Sequence, residues 1–301
     1  MKISDYLTKD DITRFTAKSD FHAWRLVLAN WVLIAIVFAL VAAYPNPLTV
    51  LLAMVLLAGR QLGLSVLMHE AGHRTLFRTP WLNDVVGQWL CAAPVFSNLP
   101  AYAKGHLEHH RRAGTHDDPD LPNYASYPVS SKSFRRKVVR DLTGQTGFKL
   151  LSAIARGASG IISTQKRESA WPFIQELIAQ LALFSVLYAF GIGWAYLIWL
   201  GAFLTFFMLI IRVRQVAEHA AVPDLYDRDP RKNTRTVDAP WWQKLVFAPN
   251  GVNYHMEHHF MASVPCYRLG ALREHLKAQH ALDNVPVFSG YGQLLKHAVT
   301  V

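Results

Sequence analysis

The chain has 301 residues, 51% of them hydrophobic and only 17% charged, and its mean hydropathy is +0.13. It is too apolar for an ordinary soluble domain, yet it carries a net charge of +10 at pH 7, so the basic residues must lie outside the apolar stretches, as in a membrane protein with a basic face. Two cysteines, Cys91 and Cys266, form no C-x-x-C pair, which excludes a disulfide framework and a thiolate-held cluster.

Met1 to Ser19 is polar and charged, unlike a cleavable signal peptide. Leu26 to Tyr44 is an uncharged apolar run long enough to span a bilayer, and Pro45 and Pro47 mark a turn after it. Leu48 to Met68 predicts a second span, interrupted by Arg60 and Gln61. A charge at that depth is expensive and marks a function unless its side chain snorkels to the surface. The cluster His69-Glu70-Ala71-Gly72-His73 falls where this helix leaves the membrane. Val85 to Phe96 is apolar but too short to cross, which suits an interfacial or re-entrant segment.

The second cluster, His106-Leu107-Glu108-His109-His110, comes next, followed by Arg111-Arg112 and an acidic turn from His116 to Asp120. Phe148 to Ile162 mixes apolar residues with Lys149 and Arg156, as an amphipathic helix lying on a membrane does. Phe173 to Phe190, weakened by Glu176 and Gln180, and Trp194 to Ile211 predict a second pair of spans joined at Gly191-Ile192-Gly193. The tail carries the third cluster, His255-Met256-Glu257-His258-His259.

The turns at 45–47 and 191–193 hold no Lys or Arg, so the positive-inside rule places both termini and every histidine cluster in the cytoplasm. The expected fold is an all-α integral membrane protein, one domain over residues 1–301. Its four transmembrane helices (26–44, 48–68, 173–190, 194–211) carry a cytoplasmic helical cap (69–172, 212–301) that holds the clusters. A bacterial inner membrane is the expected location.

On a helix, positions i, i+3 and i+4 share a face, so each H-x-x-H-H aims three imidazoles at one point. Two such copies about 150 residues apart, with the H-x-x-x-H pair, supply eight ligands of the type most used for transition metals. His219, just past the fourth span as His69 and His73 are past the second, is a ninth candidate, and Gln215 one turn earlier is placed to hold a metal-bound water. Nine imidazoles are too many for one ion and suit two with open positions. Imidazole accepts Zn, Cu, Fe and Ni alike, so the ligands alone do not choose the metal. Glu70, Glu108, Glu218 and Glu257 adjoin candidate ligands and, with Asp120, are expected to orient the rings from outside. His22, His116, His275, His280 and His297 show no ligand spacing and are expected at the surface. The first cluster also reads as the H-E-x-x-H motif of a zinc protease with Glu70 as base, a reading that leaves the other two clusters unexplained.

The chain resembles the membrane fatty acid desaturase family over roughly residues 20 to 290. The resemblance lies in His69-Glu70-Ala71-Gly72-His73 and in Lys104-Gly105-His106-Leu107-Glu108-His109-His110-Arg111-Arg112 leading into Asp117-Asp118-Pro119-Asp120. It extends to Asn253-Tyr254-His255-Met256-Glu257-His258-His259 leading into Val264-Pro265. It implies a di-iron centre held by His69, His73, His106, His109, His110, His219, His255, His258 and His259, with O2 as oxidant and a lipid acyl chain as substrate. Gln215 stands where the resemblance leads one to expect Asn or another side chain able to hold a water. Hydroxylases and carotenoid ketolases share this plan and form the runner-up reading to a desaturase. No dinucleotide fingerprint and no C-x-x-C-H occurs, so a separate electron donor, a ferredoxin or similar small carrier, is expected. Arg111, Arg112, Lys132, Arg135, Arg136 and Lys137 suit either an acidic carrier or anionic membrane lipid, and no nucleic acid partner is expected.

Overall fold

The computed structural model describes residues 2–164 and 170–300, and the side chains of all of these but 158–164. Four helices are long and apolar enough to cross a bilayer: Asp20–Ala43, Pro47–Gly72, Trp171–Ala189 and Gly193–His219. They are the four predicted spans, in a mostly helical membrane protein as expected.

After a short helix α1 (Lys9–Thr16), α2 (Asp20–Ala43) and α3 (Pro47–Gly72) form the first pair. The turn between them is set by Asn46, whose side chain accepts the N–H groups of Leu48 and Thr49, and by Pro47, placed where a helix needs no N–H. Along α2, Leu28, Val32, Ile36 and Leu40 are exposed at every fourth position while Val27, Ile34 and Val41 are buried, so one stripe faces lipid and another the bundle. α3 does not end at Met68 as its hydropathy predicts. Its 26 residues make a helix about 39 Å long against about 30 Å of hydrocarbon, with His69 inside its last turn and His73 capping it.

The short apolar segment after α3 is a helical hook rather than a span. α4 (Pro80–Val86) runs into a π turn (Gly87–Ala92) and a 3-10 turn (Ala93–Val95) that packs against the third span. Gln180 donates to the carbonyls of Ala93 and Pro94 at 3.0 and 2.9 Å, which explains a polar residue within that span. α5 (Leu99–Arg112), capped by Asn98, carries the second histidine cluster. A two-residue strand β1 (Val129–Ser130), α6 (Ser131–Leu142), α7 (Gln145–Thr164) and α8 (Trp171–Ala189) follow. The predicted amphipathic stretch 148–162 falls in α7, where Phe148 and Leu150 are exposed and Leu151 packs on the core; its side chains from 158 on lie outside the described residues.

The fourth span is built of a 3-10 turn, α9 (Tyr196–Ala202), a π turn (Phe203–Phe207) and α10 (Met208–His219). It outruns its predicted end at Ile211 because the charges that follow are satisfied: Arg212 binds the buried Asp141 and Arg214 binds Glu218 one turn on. Ile34 and Phe38, Leu57 and Leu62, Leu187, and Trp199 and Phe203 form the shared core of the four spans.

The tail folds as α11 (Pro230–Asn233), α12 (Trp241–Val246), α13 (His255–Phe260), α14 (Cys266–Ala278) and α15 (Tyr291–Ala298). Strand β2 (Val299–Thr300) pairs in parallel with β1, two residues from each, a small departure from the all-α expectation. Arg60 neither snorkels nor reaches the histidines. It is buried, donating to the Leu245 carbonyl of α12 at 2.5 Å and to Asn30 at 3.3 Å. Asn250 completes the seam, accepting from Asn30 at 3.1 Å and donating to the Gly63 carbonyl at 2.8 Å. Two glycines permit this approach: a Cβ at Gly59 would lie 2.7 Å from the Leu245 oxygen and one at Gly63 2.1 Å from Asn30.

Reporter tags beside Lys2, Ser130 and Thr300 should all report one side of the membrane, and a tag in the turn at 191–193 the other. A tag among the first three that reports the opposite side would break the four-span arrangement.

Candidate metal centre

Four elements deliver histidines to one place. The end of α3 brings His69 and His73, α5 brings His106, His109 and His110, the end of α10 brings His219, and α13 brings His255, His258 and His259. These nine fall into two groups able to hold a metal ion: His69, His73, His106, His110 and His258 in the first, and His109, His219, His255 and His259 in the second. Within each group the ligand atoms lie within 4.8 Å of one another. Helical spacing explains the division, since α5 and α13 each carry three rings and share them between the groups. The His110 and His259 rings stack at 4.2 Å where the groups meet.

The electrostatics favour a cation. Burial, reinforced by the neighbouring rings, lowers the His73 pKa to about 3 and holds His106, His110, His255, His258 and His259 well below the imidazole range. These rings are therefore neutral and offer lone pairs. Nε2 atoms face each other at 3.0 Å (His106 and His110), 2.9 Å (His219 and His255) and 2.9 Å (His110 and His258). Where both rings carry their proton on Nδ1, the facing Nε2 lone pairs repel at that distance unless a cation lies between them. Nitrogens about 2.1 Å from a common ion, at right angles, lie about 3 Å apart. The Nε2 atoms of His73 and His259 are buried without a protein partner, as ligands awaiting an ion would be. The donor set fits a pair of late first-row ions.

Three Nδ1 atoms are held from outside. His69 donates to Glu70 at 3.1 Å, His109 to Asp118 at 2.8 Å, and His219 to the Asn233 carbonyl at 3.1 Å. Each bond puts the proton on Nδ1 and turns Nε2 inward. Glu218 lies 3.6 Å from the His255 Nδ1. The expected carboxylate set needs correction elsewhere. Asp120 is 3.8 Å from His109, and the close partner is Asp118, which also accepts from the Tyr124 hydroxyl. Burial alone would raise the Asp118 carboxyl, but the His109 hydrogen bond and charge outweigh it and hold its pKa below the ordinary value. Glu108 turns outward to Arg111 and Arg112 because position 108 lies off the inward face of α5. Glu257 is fully buried but engages Arg273 and Thr236 rather than a ring. Asp118 and Asn233 were missed because no spacing rule selects among Asp117, Asp118 and Asp120, or points to a backbone carbonyl 14 residues away. Of the remaining histidines, His116, His280 and His297 are exposed as expected. His22 and His275 are half-buried, bonded to Ser19 at 3.1 Å and to the Tyr6 carbonyl at 3.2 Å, and belong to neither group.

A cavity of about 480 Å³ adjoins both groups. His69, His106, His109, His219 and His255 line one part of it, with Gln215 and the Arg214–Glu218 pair, while Leu62, Val66, Phe203 and Phe207 line the part at membrane depth. Its size is within the range of about 300–1,000 Å³ for small-molecule sites. The π turn contributes two of these walls, as π turns often do at functional sites.

Four bilayer-length helices, with nine imidazoles from two of them and from α5 and α13 gathered in two groups beside an apolar cavity, define an integral membrane protein equipped to hold metal. The chain belongs to the fatty acid desaturase family, a family of oxidoreductases, whose model matches residues 45–291. It is 25% identical to dihydrorhizobitoxine desaturase of Bradyrhizobium elkanii over 229 residues, 72% of this chain and 65% of that one. It is 28% identical to a sphingolipid delta(4)-desaturase DES1-like protein of Arabidopsis thaliana over 216 residues, 69% of this chain and 57% of that one. Against the sn-1 oleoyl-lipid 12-desaturase of a Picosynechococcus species the identity is 25% over 265 residues, 82% of this chain and 74% of that one. The chain thus spans less than two thirds of the first two relatives. The zinc-protease reading fails on geometry as well. His69 and His73 share their group with three further imidazoles, and Glu70 is engaged by His69, Thr75 and the Cys266 N–H instead of being free to act as a base.

Asp118→Asn should cost about 10–100-fold in metal affinity, as loss of an outer partner of a ligand does, and Asp120→Asn much less; competition against a chromogenic chelator measures both. Stability of the metal-free protein should also depend on pH. Histidines held below about 6.5 when folded take up protons only on unfolding, so stability is full above that value and declines as pH falls toward the folded values. Melting of the metal-free protein should shift down between pH 7 and 5, whereas a flat profile would mean that the folded rings accept protons freely.

Proposed function

We propose that the protein is an O2-dependent di-iron lipid desaturase that introduces a double bond into an acyl chain. The observation that supports it most is the continuity of one cavity from both histidine groups to apolar walls at membrane depth. The first group would hold one iron through His69, His73, His106, His110 and His258, and the second another through His109, His219, His255 and His259. Iron bound there supplies activation of dioxygen for removing hydrogen from an unactivated methylene.

The chain's own residues do the rest. Glu70, Asp118 and the Asn233 carbonyl orient rings through Nδ1. Leu62, Val66, Phe203 and Phe207 hold the alkyl chain and exclude water beside the centre. Gln215 lines the same cavity and is placed to hold a water. Electrons come from a separate small carrier protein, and the basic residues set the histidine-bearing side toward the cytoplasm of a bacterial inner membrane. The relatives, named for desaturation of dihydrorhizobitoxine, a sphingolipid and an oleoyl lipid, favour desaturation over a hydroxylase or ketolase.

The purified protein should contain about two iron atoms per chain, and its expression should add a double bond to host lipids detectable by mass spectrometry. One zinc and no iron would overturn the reading. His219→Ala should lower iron content and turnover by at least the 10–100-fold of an outer partner, whereas His280→Ala should stay within about ±0.5 kcal/mol in stability. Full iron with normal turnover in His219→Ala would leave eight ligands.

A further inference from the structure

α14 contributes no histidine to either group, yet it touches the carboxylates of two clusters. Glu70, beside His69, is 2% exposed, and Glu257, between His255 and His258, is fully buried. The Glu70 carboxylate accepts the N–H of Cys266, the first residue of α14, at 2.8 Å while its other oxygen holds His69. The Glu257 carboxylate accepts from Arg273 of the same helix at 2.7 Å. Cys266 and Arg273 are two turns apart on one face, about 10 Å along the axis. One carboxylate thus meets the positive end of a helix and the other a guanidinium. α14 is itself fixed, since Leu269, Leu272 and Leu276 pack with Met256 and Phe260 of α13 and with Leu7 and Phe15 from the N-terminal region.

The first histidine group exists only if α3 and α13 keep their separation. His258 of α13 meets His69 and His73 of α3 with ring centroids 4.5 and 4.8 Å apart. We infer that α14 is the spacer that sets this separation, with Arg273 a positioning residue for the third histidine cluster and Glu70 the corresponding grip on the first. This rests on the nine histidines being metal ligands. α13 serves both groups, so releasing it should loosen both ions, whereas releasing Glu70 from His69 should loosen only the ion of the first group.

Cobalt titration of metal-free protein tests this without recourse to turnover. Arg273→Met leaves the Glu257 charge buried with no cation and only the Thr236 hydroxyl, a cause of misfolding in itself, so the informative variant is Arg273→Met with Glu257→Gln. It should melt like the metal-free parent and still bind both cobalt ions about 10–100-fold more weakly, the usual cost of an outer partner. Arg273→Lys should recover part of that loss and shift the cobalt absorption bands. Glu70→Gln should weaken one ion and spare the other. If the parent binds no cobalt, the ligand assignment itself has failed. If the parent binds two ions and the double variant holds both with parental affinity, or loses them only as it unfolds, the spacer role is overturned. Equal weakening of both ions by Glu70→Gln would overturn the division between the groups.

Discussion

Imidazoles packed ring against ring repel one another if they charge, and burial keeps His73, His106, His110, His255, His258 and His259 uncharged. Most of the fold beyond the membrane serves that condition. The Asp118 loop closes over His109, Tyr124 stacks on the His219 ring at 4.8 Å, and α14 seals the side of α13. The neutral rings then carry unshared lone pairs aimed inward, an arrangement that is unfavourable by itself and becomes favourable when cations enter. The protein stores this frustration at the site and meets its cost in the packing around it.

The length of the spans does the next part of the work. α3 and the fourth span both run on past their apolar stretches, so that rigid helix carries His69 and His219 and a helix cap carries His73. A site built on helices holds its groups more tightly than one built on loops. The same helices pass beneath the histidines into the apolar walls of the cavity, which links the chemistry to the membrane through continuous elements.

The sequence was legible wherever the signal was local. H-x-x-H-H and H-x-x-x-H spacing places eight histidines on helical faces, the end of the fourth span points to His219, and hydropathy finds the four helices. Helix ends were read short, because hydropathy reports the edge of the bilayer and not the ion pairs of Arg212 and Arg214 that let α10 continue. The outer partners were half legible. Glu70 adjoins its ring in both sequence and space, while Glu108 and Glu257, equally near in sequence, point away from the rings. Which of three aspartates meets His109 depends on how residues 113–124 turn, and adjacency does not encode that.

The seam at Arg60 bears on the order in which the molecule can be completed. Its guanidinium enters the membrane with α3, but the Leu245 carbonyl that receives it lies 185 residues later in the chain. Asn30, already bonded to the Leu26 carbonyl and to Arg60, gains its further partner Asn250, 220 residues on. Until those residues emerge from the ribosome, the charge near the middle of the second span has only Asn30 to meet it, and a charge so placed is costly. Completion of the tail therefore locks the membrane half, and a chain cut short before residue 245 is marked as unfinished by its own buried arginine.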